Sequence, residues 1–215
     1  MLFRSVADGE VIQRASERAL RKGVTLSDVL DCSSKIREHV DVPIVLFSYL
    51  NPILKFGKDR LAAEARQAGI DAVLITDLIP EEATDWVAPF CDRGIDLIFL
   101  VAPTTSDERL AHIASRATGF IYAVSRAGIT GERNEMPRDA EPLVKRMRRV
   151  SDLPIAVGFG ISTPEQVRQV WRFADAAIIG SAIVRRIEEL TGLPGMVARV
   201  GDFARSLLKP KRSGT

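Results

Sequence analysis

Two glycine-bearing turns carry the clearest chemical signal in the sequence. Gly158-Phe159-Gly160 follows the apolar run Pro154–Val157 and enters a segment capped near Thr163. Gly180-Ser181-Ala182 follows Asp175–Ile179 and enters the amphipathic stretch Ile183–Leu190. Glycine lets backbone N–H groups approach a ligand closely, and a helix N-terminus attracts anions. The chemistry this suggests is phosphate binding. Either turn alone would also serve as a plain strand-to-helix connection, but two in succession favour the phosphate reading. A third segment, Ser125-Arg126-Ala127-Gly128-Ile129-Thr130-Gly131, is either a loop that closes over substrate or a long connection. Asp77 ends an apolar run, and by itself reads as a helix cap or loop tie before it reads as a catalytic acid. Tyr49 and Tyr122, the only two tyrosines, fall near strand ends, where a ring can face an aromatic substrate or pack in the core. Trp86 and Trp171 read as packing residues, and His112 as solvent-facing.

The elements that must position these residues repeat along the chain. Apolar runs cover residues 43–49, 72–77, 96–102, 119–125, 154–160 and 175–180. They are continuous rather than alternating, as in strands buried on both faces of a parallel sheet. Helix signals lie between them. Thr163-Pro164-Glu165 supplies an N-cap, a proline at the first position and an early acid, and Gly69, Gly94 and Gly119 supply stops. The pattern fits an open doubly wound sheet or a closed (β/α)₈ barrel. The first strand lacks a dinucleotide fingerprint, and functional-looking residues stand at the C-terminal ends of several strands, which favours the barrel. The segments 10–22 and 26–40 read as helices with no strand before them. The expectation is therefore α/β, a (β/α)₈ TIM barrel holding six of its eight strands. One partial domain spans residues 1–208, with a basic tail at 209–215.

Composition narrows the partners. The 215 residues carry 30 basic and 28 acidic side chains, a net charge of +2, which is no polyanion-binding signature. Two cysteines and two histidines offer neither a disulfide framework nor a metal cluster. No apolar run reaches membrane-spanning length. The expected setting is soluble, reducing and cytoplasmic.

These segments together resemble the α subunit of tryptophan synthase. The resemblance rests on Ala7-Asp-Gly9, Tyr49-Leu-Asn-Pro52, Asp77-Leu-Ile-Pro-Glu-Glu82 and Ala102-Pro-Thr-Thr105. It rests above all on Gly119-Phe-Ile-Tyr-Ala-Val-Ser-Arg-Ala-Gly-Ile-Thr-Gly131, and is completed by Gly158-Phe-Gly-Ile-Ser162 and Gly180-Ser-Ala-Ile-Val184. It implies a barrel of the ribulose-phosphate-binding type and a lyase that cleaves indole-3-glycerol phosphate to indole and glyceraldehyde 3-phosphate. By motif position, Gly131, Gly158, Phe159, Gly160, Gly180, Ser181 and Ala182 would hold the phosphate. Tyr49 and Leu74 would line the indole pocket. Tyr122 would lie beside the scissile centre, and Thr130 would support the catalytic acid. Asn51, Pro52 and Arg126 would face the β subunit of an α2β2 complex. That partner carries pyridoxal phosphate; this chain would need no cofactor and no metal.

The family's carboxylates are a glutamate ending the second strand and an aspartate in a Pro-Phe-Ser-Asp-Pro segment. The glutamate has no counterpart in residues 1–215. Aligning Ala7-Asp8-Gly9 puts Arg4 at the aspartate position, and Asp8, in the neighbouring motif, is a poor substitute. The expectation is a weakly active or inactive chain. The alternatives are a non-catalytic partner of the β subunit or a decayed fragment. Leu2-Phe-Arg-Ser5 can be encoded by bases that in another frame lie within codons for Pro-Phe-Ser-Asp-Pro, so a shifted frame competes with a late start.

Overall fold

The computed structural model describes residues 8–124, 139–158 and 160–208. Six strands form one parallel sheet in sequence order: β1 (Val45–Ser48), β2 (Ala72–Ile75), β3 (Asp96–Val101), β4 (Ile121–Val124), β5 (Ile155–Gly158) and β6 (Ala176–Ile178). All five neighbouring pairs are parallel. Each strand is the core of a longer apolar run, because barrel strands pair only while neighbours remain in register. The sheet curls into a half-barrel, and β1 and β6 each have one neighbour in it. The expected α/β barrel architecture with six strands is what the structure has.

Helices cover the outer face: α1 (Glu10–Arg21), α2 (Leu26–Arg37), α3 (Leu50–Phe56), α4 (Lys58–Gln67) and α5 (Thr84–Cys91) in the first half. They continue with α6 (Asp107–Ala114), α7 (Ala140–Met147), α8 (Pro164–Val170), α9 (Ser181–Leu190) and α10 (Met196–Leu207). Several start as the sequence predicts. Thr25 caps α2 with a reciprocal bond to Asp28, and Thr163 caps α8 with a reciprocal bond to Gln166. Gly23, Gly69, Gly94 and Gly119 follow elements with positive φ, a conformation other residues adopt only under strain. Four details differ from expectation. The second helix stops at Arg37 rather than Val40. The segment opening at Pro80 begins with a 3₁₀ turn before α5. The short helix α3 and the C-terminal α10 carry no strong sequence signal. Trp171 is not a packing residue: it ends α8 with 46% of its surface exposed, whereas Trp86 is buried.

Strand parity divides the apolar residues into two layers. Leu46, Val73, Leu97, Ile121 and Val157 face the helices and join the main core. Ala72, Leu74, Ile98 and Tyr122 face inward and form a smaller cluster, against which Leu100, Val124 and Ile178 pack. The inner layer thins toward the free edge: Phe47, paired with the buried Leu74, is 59% exposed. At the opposite end of the strands two aspartates repeat one device. Asp71, before β2, accepts from the Ile44 N–H and from Arg37; Asp175, before β6, accepts from the Ile155 N–H and from Arg148. These bonds to the charged form hold the Asp175 carboxyl below the usual range, the Ile155 N–H contributing most.

Candidate functional site

The described sequence-flagged site residues gather at the C-terminal rim of the strands, where barrels build their sites. Tyr122 occupies the centre of the inner layer. It is 9% exposed, in one cluster with Leu74. Burial pushes its phenol above the ordinary value, so it stays protonated and able to donate at neutral pH. The structure thus unites the two alternatives for this ring, which is both a packed residue and part of the inner wall.

Gly158 ends β5 for a reason the sequence did not reveal. A Cβ there would overlap the Tyr122 hydroxyl and ring edge. The position is small because Tyr122 fills it. Gly160 takes a positive φ of 73°, the left-handed turn that leads into α8. Beyond it Gln166 folds back, and its Oε1 accepts from the N–H groups of Ser162 (2.8 Å) and Thr163 (3.2 Å). Gln166 thereby fixes this turn, a role composition alone does not signal.

Gly180, Ser181 and Ala182 make the other turn. Gly180 precedes α9 and no side chain caps the helix. A Cβ built on Gly180 meets nothing within 4 Å among the described residues, so they leave the space beside it open. The first N–H groups of a helix have no acceptor within it, and the dipole adds partial positive charge. An exposed helix start facing open space suits an anion.

On the opposite side of the rim stand Tyr49 and the first turn of α3. Tyr49 continues β1 in extended backbone and forms the N-cap of α3. Its hydroxyl donates to Asp8 Oδ2 at 2.8 Å. Asp77 Oδ1 accepts from the Leu50 N–H at 2.6 Å, which fits the helix-capping reading of that acid. Asn51 and Pro52 are exposed on α3, beside Leu54 at 56% exposure. Phe159 and the loop residues Arg126, Thr130 and Gly131, like Arg4, lie outside the described residues. His112 departs from expectation: its Nε2 is shut off from solvent, with no hydrogen-bond partner among the described residues. No group of three or more histidine, cysteine or acidic side chains suited to a metal occurs among the described residues. None of the described helices is long and apolar enough to cross a membrane.

A curled parallel β/α sheet with the candidate residues at the C-terminal rim of its strands defines a barrel of the TIM class. Comparison with known proteins gives the family: residues 4–209 match the model described as tryptophan synthase alpha chain, and the chain belongs to that family. It is 48% identical over 202 residues to the tryptophan synthase alpha chain of Solibacter usitatus, covering 94% of this chain and 76% of that one. The Roseiflexus sp. (strain RS-1) alpha chain is 47% identical over 204 residues, with 94% and 77% covered. Among solved structures, a mutant tryptophan synthase alpha-subunit from the hyperthermophile Pyrococcus furiosus superposes with a TM-score of 0.86 at 36% identity, covering 94% of this chain and 81% of that chain. A chain of the tryptophan synthase α2β2 complex of the same organism gives the same TM-score. The chain spans about three quarters of the length of the curated relatives it matches.

Proposed function

We propose that this chain carries the indole-3-glycerol phosphate site of its lyase family, in a single domain of residues 1–208 with a basic tail, working in the cytoplasm. The observation that carries the proposal is the uncapped start of α9 just after β6, whose Ile178 packs against the inner cluster of Leu74 and Tyr122. Backbone N–H groups of Gly180, Ser181 and Ala182, with Gly158, Phe159, Gly160 and Gly131, hold the phosphate. Leu74 and Tyr49 line the indole pocket, and neutral Tyr122 lies beside the bond that breaks. Cleavage needs one group to protonate indole C3 and a base for the glycerol hydroxyl. In the family two carboxylates serve this chemistry, and Thr130 would support the acid. It needs no cofactor of its own; pyridoxal phosphate belongs to the β subunit.

The test is indole release by the purified 215-residue chain, alone and with a β subunit, together with titration by inorganic phosphate. Expected are saturable phosphate binding and indole release. No indole release overturns the lyase reading, and no phosphate binding overturns the site.

A second reading, a non-catalytic partner of the β subunit, is favoured by exposed Asn51, Pro52 and Leu54 on α3. Co-purification with a β subunit and a rise in its activity would support it. Failure to bind would leave the site without this partner.

A further inference from the structure

The end of the strands opposite the rim holds a cavity of about 590 Å³. Ala114, the last residue of α6, and the segment 148–154, which joins α7 to β5, form its walls. None of the rim residues lines it, so it is separate from the candidate phosphate site.

Its charged groups divide into engaged and unengaged. Arg148 is engaged: its Nη2 donates to both Asp175 oxygens at 3.0 Å. Arg149 and Asp152 are exposed, and neither side chain has a hydrogen-bond or ion-pair partner among the described residues. Ser151 Oγ accepts from the Leu153 N–H at 3.2 Å, which leaves its own proton to donate. Helices α6 and α7 both finish at the cavity, and a helix C-terminus carries partial negative charge. A simple anion would find Arg149 but also Asp152 and two unfavourable helix ends. A simple cation would find those groups but also Arg149. A molecule with both charges meets a partner for each. The rest of the lining, Ala114, Val150, Leu153 and Pro154, is apolar, and Val150 is 39% exposed.

We propose that this cavity binds a free α-amino acid with an apolar side chain. Arg149 and the Ser151 hydroxyl take the carboxylate. Asp152, with the helix ends behind it, takes the ammonium. Val150 and Leu153 receive the side chain. The volume falls within the range of small-molecule sites, about 300–1,000 Å³. The charges are open to solvent, which weakens each pairing, so the dissociation constant should be on the order of 1 mM.

Calorimetric titration and amide NMR of the 215-residue chain test this, with L-leucine as the probe. Three analogues each remove one feature: 4-methylpentanoate lacks the ammonium, 3-methylbutylamine lacks the carboxylate, and glycine lacks the side chain. Leucine should bind saturably, and every analogue should bind several-fold more weakly. Leucine should move the amide signals of Val150, Ser151 and Leu153, and inorganic phosphate should not displace it. Arg149→Ala should weaken leucine about tenfold, and Arg149→Lys should recover part of the loss. Asp152→Asn should weaken leucine but leave 4-methylpentanoate unchanged. That selectivity separates a lost contact from a damaged fold, which would weaken both. No saturation at about fifty times the expected dissociation constant would overturn the proposal. So would 4-methylpentanoate or 3-methylbutylamine binding as well as leucine, unchanged leucine affinity in either Arg149→Ala or Asp152→Asn, or signal shifts confined to residues outside the cavity.

Discussion

The ends of β5 and β6 look alike in sequence, strand then glycine then helix, but the structure finishes them in opposite ways. At β5 the protein fills its own space. Tyr122 occupies the volume a Gly158 side chain would need, and Thr163 and Gln166 close the start of α8. At β6 no described residue comes within 4 Å of a Cβ built on Gly180, and α9 starts without a side-chain cap among the described residues. A capped helix start is satisfied internally; an uncapped one leaves its first N–H groups available, and an anion is one acceptor they can take. Identical residue types thus serve packing in one turn and leave room beside the next.

Paired substitutions break or sharpen this contrast. Gly158→Val should have the largest effect. It drives a branched side chain into the Tyr122 ring, and overpacking of this kind costs about 1–3 kcal/mol. Denaturant unfolding should show the loss. Gly180→Val should leave stability within about 0.5 kcal/mol, because the space is open and its φ of −109° suits an L-residue. Its effect should appear in binding. With inorganic phosphate at 100 times its dissociation constant, the parent chain should gain about 2.7 kcal/mol, seen as a raised Tm. Gly180→Val should lose most of that gain. Equal stability losses for the two valine substitutions would end the distinction between a filled and an open turn.

The cap gives a smaller, cleaner comparison. Thr163→Ala removes the acceptor for the Gln166 N–H. It should cost about 1 kcal/mol in urea unfolding, by the same amount with and without phosphate. A cost that disappears when phosphate is bound would mean that the α8 start is also part of the anion site.

Much of the architecture could be read from the chain because continuous apolar runs and glycine stops mark buried parallel strands and helix ends directly. The runs at 72–77 and 154–160 were too long by a few residues, since apolar character continues past the last paired residue into the rim. Helix α3 was missed because seven residues between Tyr49 and Gly57 are too few to establish a helical period. Of the site, Tyr49, Leu74, Tyr122 and the two glycine turns could be picked out by residue type and family motif. Three features could not: Tyr122 as the reason for Gly158, Gln166 as the tie on the turn, and Asp8 on Tyr49. Each depends on a side chain reaching across the fold, and spacing along the chain does not encode that reach.

The smallest expected effect lies along α9 itself, which is bare at its start and tied near its end. The Arg14 and Arg18 guanidiniums, through hydrogen bonds first and charge second, pull the Glu188 carboxyl from its ordinary 4.5 down to about 2. A carboxyl with a depressed folded-state value contributes stability that is fully present above the unfolded value and lost as pH falls through the folded one. The contribution should therefore be intact at pH 7 and fade between about 4.5 and 2. The pair is partly open to solvent, so salt screens it and the effect is modest. Melting scans of the parent and Glu188→Gln should differ slightly at pH 7 in dilute buffer and converge toward pH 3 or in 1 M salt. If phosphate binding also weakens in Glu188→Gln at pH 7, the tie does more than hold two helices together: it sets the angle at which α9 presents its open start to the anion.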